Sequence, residues 1–226
     1  INDLPNGKNT KSFSTPDASG STSQAAGVLE GIEAGSRLFL IDEDTSATNF
    51  MVRDDFMQQV ISREKEPITP FLERAGDLYK KAGVSTILVA GSSGAFFYIA
   101  DHIIQMDCYK PVEITERVKA LCKEHQAPET QAPGFAVPSF AKVYAAGKSE
   151  NAKVKTFGRD SFSIDRETVD LRYVEQLADS EQTSALAYLT RYALEQLTDG
   201  RKNLRQIAAE LRKRIETKGW DGLTGS

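Results

Sequence analysis

With 226 residues, of which 40% are hydrophobic and 27% charged, the chain has the composition of a globular protein that can bury a sizeable core in one or two domains. Its net charge of −4 argues against a generally basic nucleic-acid-binding surface, and no apolar run is long enough to span a membrane. The two cysteines, Cys108 and Cys122, lack zinc-type spacing, so we expect no zinc site and a reducing, cytoplasmic environment.

The first half of the chain predicts alternating helices and strands. Residues 1–21 are rich in Asn, Gly, Ser, Thr and Pro and predict a loop. Helical spacing of apolar residues then predicts a helix over residues 22–35, and the apolar run of residues 37–41 predicts a strand buried on both faces. The remaining predicted elements are helices over residues 52–63, 71–83 and 115–125, strands over residues 84–90 and 102–107, the first of these also buried on both faces, and a short helix after the Gly/Ser turn of residues 91–94.

This order of elements predicts an α/β architecture with a mostly parallel sheet, because right-handed crossovers bring successive strands into one sheet. Ligands of such sheets bind at the carboxyl ends of the strands. The polar turns of residues 42–44 and 91–94 both follow predicted strands. We therefore expect a functional site where these two turns meet.

Beyond residue 124 the character of the sequence changes. Residues 125–150 predict a linker or an extended strap, since three prolines lie between residues 125 and 140. Residues 151–226 predict a small α+β subdomain with a hairpin over residues 152–165, a helix that begins near Asp179 and Gln182 at capping-box spacing, and a helix over residues 203–219. We expect one apolar stripe of each helix to face the core, formed by Leu186, Leu189, Ala193 and Leu197 and by Leu204, Ile207, Leu211 and Ile215.

The stretch "LFLIDEDTSATN" (38–49) runs from an apolar strand directly into three carboxylates. Adjacent negative charges repel, so such a cluster is either a solvated turn or a place where a cation and a phosphate are bound. An Asp at a strand end can hold Mg²⁺ on the phosphates of a nucleotide, and the next Glu can orient or deprotonate an attacking water. An apolar run followed by Asp-Glu is common in α/β proteins and does not by itself decide between these alternatives.

Neighbouring segments resemble the motifs of ATP-binding-cassette ATPases. "DEDTSATN" (42–49) resembles their DEPTSALD stretch, and "ASGSTSQ" (18–24) resembles their LSGGQ signature at the usual distance upstream. "VSTILVAGSSGAFFYIADHIIQMD" (84–107) is similar to the strand, switch loop, helix and strand that close the cassette core. A closer resemblance, over nearly the whole chain, is to the soluble family called predicted ATPases of the ABC class, and "EKEPITPF" and "GVSTILVAGSSG" contribute to it.

The resemblance implies a partial ABC-type P-loop NTPase core over residues 1–124, which in a homodimer would enclose ATP and Mg²⁺ between head-to-tail subunits. The residues that it assigns to the site are Glu43 as catalytic base, Asp42 as the Mg²⁺ ligand, and Ser19, Gly20, Ser21, Ser46, Asn49 and Ser92 at the nucleotide and the dimer interface. The alternatives are a simple helix cap for residues 19–21 and a solvated strand end for residues 42 and 43.

Three departures from the family pattern qualify these expectations. Asp44 stands where the family has proline, and no histidine lies near Gly91, where the switch histidine is expected, so Ser92 or Ser93 would have to replace it. No GxxxxGK[ST] motif occurs in the chain. We therefore expect the phosphate-binding loop to lie upstream and the chain by itself to hydrolyse essentially no ATP.

A second hypothesis is a module that binds RNA or DNA and whose grip is regulated by ATP. Its basis is the mildly basic C-terminal part of the chain, and the alternative is that these side chains are simply solvated. They are Lys153, Lys155 and Arg159 on the predicted hairpin and Arg201, Lys202, Arg205, Arg212, Lys213 and Arg214, which we expect on the last helix. A third hypothesis, a degenerate cassette retained as a dimer scaffold, depends only on Gly91.

Overall fold

A computed structural model describes residues 15, 17–61, 68–128, 132, 134–135, 143–145, 152–220 and 223. The chain forms two compact units, residues 1–138 and residues 139–226, which we call unit 1 and unit 2. Most of the predicted linker, residues 125–150, lies outside the described residues.

Unit 1 alternates helices and short strands. Its elements are α1 (Gly20–Ala34), β1 (Leu38–Asp42), α2 (Thr48–Met51), α3 (Asp55–Val60), α4 (Phe71–Ala82), β2 (Ser85–Val89), a 3₁₀ helix (Gly94–Tyr98), β3 (Ile104–Asp107), β4 (Lys110–Glu113) and α5 (Thr115–Cys122).

The predicted ends of α1 and α4 are confirmed, because each helix stops at a glycine in the left-handed conformation. Gly35 has φ 101° and Gly83 has φ 65°, and both donate their N–H groups to the last carbonyls of their helices. The helix predicted over residues 52–63 is confirmed in part, since α3 covers residues 55–60 while residues 52–54 are not helical. The Asp54 carboxylate accepts the N–H groups of Phe56 and Met57 and so starts a new helix, α3, after α2 has ended; residues 62 and 63 lie outside the described residues.

Strands β1 and β2 pair in parallel, with Leu38 opposite Ser85 and Asp42 opposite Val89. They are the only parallel pair among the described strands, so the mostly parallel sheet stays a prediction. The predicted strand over residues 102–107 forms as β3, but it turns back through Cys108 and Tyr109 and pairs antiparallel with β4. A two-residue hairpin forms locally, whereas a parallel strand needs a long crossover.

The prediction that both strands are buried on both faces is wrong. Leu40, Ile87 and Val89 are 74%, 58% and 65% exposed. The residues that alternate with them along the two strands are half-buried, and the fully buried side chains nearby in the sequence come from α1, α2, α4 and the residues just before β2. These include Ile32, Phe50, Met51, Phe71, Leu72, Leu78 and Val84. The apolar sequences therefore predicted both strands correctly. They did not predict that, in the described part of the chain, one face of each strand is exposed.

Unit 2 contains a three-stranded antiparallel sheet covered on one side by a helix. Its elements are β5 (Val143–Ala145), β6 (Val154–Phe157), β7 (Ser161–Ile164), β8 (Glu167–Asp170), α6 (Ser180–Tyr192), a π-helical turn (Ala193–Leu197), β9 (Asp199–Asn203) and α7 (Leu204–Lys218). The predicted hairpin is confirmed as β6 and β7, and β8 extends it. Strand β9 pairs antiparallel with β5.

The core of unit 2 lies between this sheet and α6. Phe162, Leu171 and Ala187 are buried together, and Val154, Ile164, Leu177 and Leu186 pack around them. The predicted stripes are confirmed in part, because Leu197 and Ile207 are buried while Leu204 is 40% exposed. In α6 the most deeply buried positions are Thr183 and Ala187, which lie beside the predicted stripe.

Both helices of unit 2 begin at side-chain caps. The Asp179 carboxylate accepts the N–H of Gln182, and the Gln182 side chain reaches back to the N–H of Ala178, one residue before the position that a capping box uses. Asn203 and Gln206 form a complete capping box at the start of α7. These local bonds are the reason why the sequence located both helix starts.

Candidate functional site

The loops that follow β1 and β2 lie at the same edge of the sheet, because the two strands are parallel. The N–H of Glu43 donates to the carbonyl oxygen of Val89 at 2.9 Å and extends the pairing one residue past Asp42. The turn of residues 42–45 therefore lies beside the loop of residues 90–93. This confirms the expectation that the two polar turns meet.

The carboxylate of Glu43 is held by the second of these loops. Its Oε2 accepts the backbone N–H groups of Gly91, Ser92 and Ser93 at 3.0, 3.1 and 3.3 Å. Burial acts to raise the pKa of Glu43, but the bonds from the backbone and side chain of Ser92 and from its two neighbours outweigh it, so the pKa lies below its ordinary value. The loop thus stabilises Glu43 as an anion with a defined orientation.

Asp42 makes hydrogen bonds within its own turn. Its Oδ1 accepts the N–H of Asp44 at 3.3 Å, and its Oδ2 accepts the hydroxyl of Thr45 at 3.0 Å. These bonds keep the side chain folded over the turn and partly exposed. Thr45, which the sequence did not single out, is therefore a direct neighbour of the predicted metal ligand.

Asp44, to which the sequence assigned no role, lies against Gly91. A Cβ built at Gly91 would be 3.4 Å from Oδ2 and 3.6 Å from Oδ1 of Asp44. The position where the switch histidine is expected is thus flanked by the carboxylates of Glu43 and Asp44. The groups of this loop that bond to Glu43 are its backbone N–H groups and the side chain of Ser92.

The segment of residues 19–21 starts helix α1. Ser19 is the N-cap, and its Oγ accepts the N–H of Thr22 at 3.4 Å and donates to the Thr22 hydroxyl at 2.9 Å. Ser21 is buried, and its Oγ accepts the side-chain amide of Asn49 at 3.2 Å. The cap that the sequence left as an alternative is therefore present, and the Ser21 hydroxyl also ties the segment to α2.

A residue that the sequence did not single out, Gln24, joins the same two segments. Its Nε2 donates to Oγ of Ser46 at 2.8 Å, and its Oε1 accepts the N–H of Ala47 at 3.0 Å. Ser46 in turn donates to the carbonyl oxygen of Asp42 at 2.7 Å. The predicted site residues Ser19, Gly20, Ser21, Asp42, Glu43, Ser46, Asn49 and Ser92 are thereby gathered around one edge of unit 1.

Among the described residues, no group of three or more His, Cys, Asp or Glu side chains is arranged to hold a metal ion. This agrees with the chemistry of Mg²⁺, which proteins usually bind through one or two carboxylates together with waters and substrate phosphates. The partly exposed carboxylate of Asp42, whose partners are one backbone N–H and one hydroxyl, fits that pattern.

In this arrangement two carboxylates follow one strand of a parallel pair, and an N–H-rich loop follows the other. Residues 1–141 match the family model of the ABC ATPase P-loop domain. Because the match covers more than half of the chain, the chain belongs to this ABC-class ATPase family, as the motifs predicted. The family points to nucleotide binding by a P-loop ATPase.

Residues 153–226 match a second family model, described as the MRB1590 C-terminal domain. This match covers most of unit 2. No curated protein matches the chain. Within the described part of the chain, every helix is too short or too polar to cross a membrane.

Proposed function

We propose that the chain is the part of a Mg²⁺-dependent ABC-class ATPase that carries the carboxylates of the hydrolytic site and the signature segment. The observation that supports this most directly is the position of Glu43, which lies next to Asp42 and is held by three N–H groups of the loop after β2. A solvated strand end needs no such loop. An oriented anion beside a metal ligand suits the attack of water on a phosphate.

In this proposal each group has one task. Asp42 would hold Mg²⁺, and the bound metal ion would neutralise charge on the ATP phosphates. Glu43, held as an anion by the loop after β2, accepts the proton of the attacking water as the general base. The N-terminus of α1, with the backbone of Ser19, Gly20 and Ser21, faces the γ-phosphate bound by a second subunit, where the positive end of a helix stabilises negative charge.

The loop that wraps the phosphates is absent from the sequence of this chain, which contains no GxxxxGK[ST] motif. We infer that sequence outside this chain supplies it, and that turnover requires the full-length protein as a homodimer. Ser46 and Asn49 then lie where the loop after β1 reaches the subunit interface.

The test is the substitution Glu43→Gln in the full-length protein, which keeps the size of the side chain and removes its charge. We expect ATP turnover to fall by about 10²–10⁴-fold, because general-base groups contribute rate factors of that size. We also expect ATP to stabilise a dimer, measured by light scattering with Mg²⁺ and ATP. Glu30→Gln, at an exposed position of α1, is the matched control and should leave turnover unchanged. Unaltered turnover in Glu43→Gln would refute the assignment.

A second candidate function, binding of RNA or DNA by unit 2, is favoured by one surface of the three-stranded sheet. Lys155 and Phe157 lie on the same face of β6, since side chains alternate along a strand, and Phe157 is 54% exposed. Tyr173, just after β8, is 90% exposed. Exposed rings beside cations can stack on unpaired bases.

The other basic residues carry less of this argument. Lys202 pairs with Asp199 and Glu210, and the guanidinium of Arg214 lies over the ring of Tyr192. Arg201 and Lys202 lie in β9 and not in the last helix.

The test for this candidate is the affinity of the full-length protein for single-stranded RNA and DNA at several salt concentrations. Phosphate contacts predict affinity that falls as salt rises, and Phe157→Ala should weaken binding, since stacking on one aromatic ring contributes about 1–3 kcal/mol. Phe56→Ala, an exposed ring of unit 1, is the control. Binding that is insensitive to both salt and Phe157→Ala would exclude this surface.

A further inference from the structure

The side chain of Gln24 links helix α1 to the loop after β1. The side chain is partly buried, and its amide uses both of its ends, donating to Ser46 and accepting from Ala47. Ala47 is the N-cap of α2 and makes no side-chain cap bond of its own. Gln24 therefore satisfies, from 23 residues away, a backbone donor in the loop that joins β1 to α2.

The bond to Ser46 continues to the end of strand β1. The Ser46 hydroxyl has one proton, which it donates to the carbonyl oxygen of Asp42, so its remaining capacity is to accept. The Nε2 group of Gln24 provides the matching donor. Two consecutive hydrogen bonds therefore connect Gln24 of α1, through Ser46, to the peptide group between Asp42 and Glu43.

Asn49 of α2 makes a second, separate bond to α1. Its side-chain amide donates to the buried hydroxyl of Ser21, in the first turn of α1. The bonds of Gln24 reach residues 46 and 47 at the end of the loop after β1, and the bond of Asn49 reaches the helix that follows. Together these bonds fix the start of α1 relative to the peptide group between Asp42 and Glu43.

We propose that Gln24 is a positioning residue for ATP hydrolysis: it holds Asp42 and Glu43 at a constant position relative to the phosphate-facing start of α1. This inference depends on the proposed ATPase function. Gln24 touches no reacting atom in the proposal and acts only through Ser46 and Ala47.

The directions of these hydrogen bonds, in which residue 24 must both donate and accept, explain why a glutamine is needed. A glutamate at position 24 could still accept the N–H of Ala47 but would offer no donor to Ser46. The serine would then have to turn its proton toward that carboxylate and give up its bond to Asp42. A methionine of similar length would make neither bond.

The experiment compares Gln24→Met and Gln24→Glu in the full-length protein with Gln105→Met, the same change at an exposed position of β3. We expect Gln24→Met to lower kcat for ATP by about tenfold to 10²-fold, because small misplacement of reacting groups costs rates of that order, while KM changes by less than about twofold. Gln24→Glu should lose less, and Gln105→Met should behave as the unchanged protein.

A double substitution separates positioning from a general loss of stability. Because Gln24 acts through Ser46, the effect of Gln24→Glu on kcat should shrink when Ser46→Ala is already present, whereas independent effects would add. Turnover is measured well below the unfolding temperature of each variant. A variant that lowers the unfolding temperature but leaves kcat unchanged contradicts the inference.

A structural measurement does not depend on ATP hydrolysis. In the chain described here, Gln24→Met should increase the hydrogen-exchange rate of the Ala47 amide, and Gln105→Met should not. An unchanged rate would overturn the inference whatever the enzyme does. Turnover that depends on Glu43 but not on Gln24 would overturn it while leaving the proposed function standing, and turnover insensitive to Glu43→Gln would remove both.

Discussion

Different kinds of interaction stabilise the interior of unit 2 and the loop edge of unit 1. Unit 2 closes a small apolar core around Phe162 between its sheet and α6. Unit 1 buries one side of its parallel strand pair, leaves Leu40 and Val89 exposed on the other, and ties its loop edge with bonds between side chains and backbone.

The two kinds of interaction differ in how closely they fix the positions of individual atoms. Apolar contacts are non-directional, so a core such as that of Phe162 stabilises a fold without fixing individual atoms closely. Hydrogen bonds such as those of Gln24 and Glu43 define distance and direction. In unit 1 they occur together at the carboxyl ends of the strands, where α/β proteins bind ligands.

The largest expected effect is the loss of the unit 2 core. Phe162→Ala should lower the free energy of unfolding by about 3–5 kcal/mol, because the ring is 2% exposed and its removal leaves a cavity. Urea unfolding followed by the fluorescence of Trp220, the single tryptophan and a residue of unit 2, measures it. Phe157→Ala, at an exposed ring of the same sheet, should cost no more than about 0.5 kcal/mol. Equal losses would show that unit 2 is not organised around Phe162.

The corresponding change on the covered side of unit 1 tests whether its strand pair has a comparable core. Met51 is 1% exposed, so Met51→Ala should cost about 2–5 kcal/mol. Hydrogen exchange of the β2 amides is a suitable measurement because these amides lie in unit 1. Met106→Ala, at a 65% exposed position of the β3–β4 hairpin, is the control and should leave β2 exchange unchanged. If the two variants behave alike, the covered side of unit 1 has no core comparable to that of unit 2.

A buried polar group in unit 2 provides a smaller test. Thr183 is fully buried and donates its hydroxyl to the carbonyl oxygen of Arg159 at 2.9 Å. Thr183→Val keeps the shape and removes that donor, so we expect a loss of about 1–3 kcal/mol in the free energy of unfolding. Thr168→Val, at an exposed position of β8, should be nearly neutral in the same urea titration. A neutral Thr183→Val would mean that apolar packing alone holds α6 on the sheet.

The smallest effect concerns an exposed ion pair. The side chain and backbone of Arg172 lower the pKa of Asp170 from 3.8 to about 2. A pKa that is lowered in the folded state stabilises the protein above pH 3.8, and this contribution disappears as the pH falls toward 2. The pair is exposed, so the effect on stability is small.

The measurement is a carboxyl ¹³C titration of Asp170 by NMR. Arg172→Gln should raise the pKa of Asp170 toward its ordinary value. Lys202→Gln is the control, because it removes a partner of Asp199 and should leave Asp170 unchanged. An Asp170 titration that does not respond to Arg172→Gln would assign the shift to the backbone N–H of residue 172 alone.

Comparison of the predicted and observed elements shows which signals the sequence carries. The ends of α1 and α4 were predicted because a glycine in the left-handed conformation is a local requirement. Helix α2 was not predicted, and the start of α3 was predicted three residues too early, although Asp54 is a good cap, because the apolar pattern runs through it. The pairing of β3 with β4 was missed because the sequence of an apolar strand does not show which other strand it pairs with.

The candidate site divides in the same way. Asp42, Glu43 and the signature-like segment were identified from the sequence because their motifs are contiguous. Gln24 and Thr45 were missed because a lone polar side chain near a motif has no pattern of its own. The family match to the P-loop domain supports the motif assignment and leaves these individual roles to experiment.

The local sequence predicted most of the helices, the strands β1, β2, β3, β6 and β7, several helix ends, and the position of the carboxylates at a strand end, since these depend on interactions within a few residues. The folded chain alone shows that Glu43 is held by a loop 48 to 50 residues further on and that Gln24 bonds to Ser46, 22 residues away. Those contacts depend on which strands lie side by side, and on which face of each strand is covered. Neither is encoded in the local spacing of apolar and polar residues.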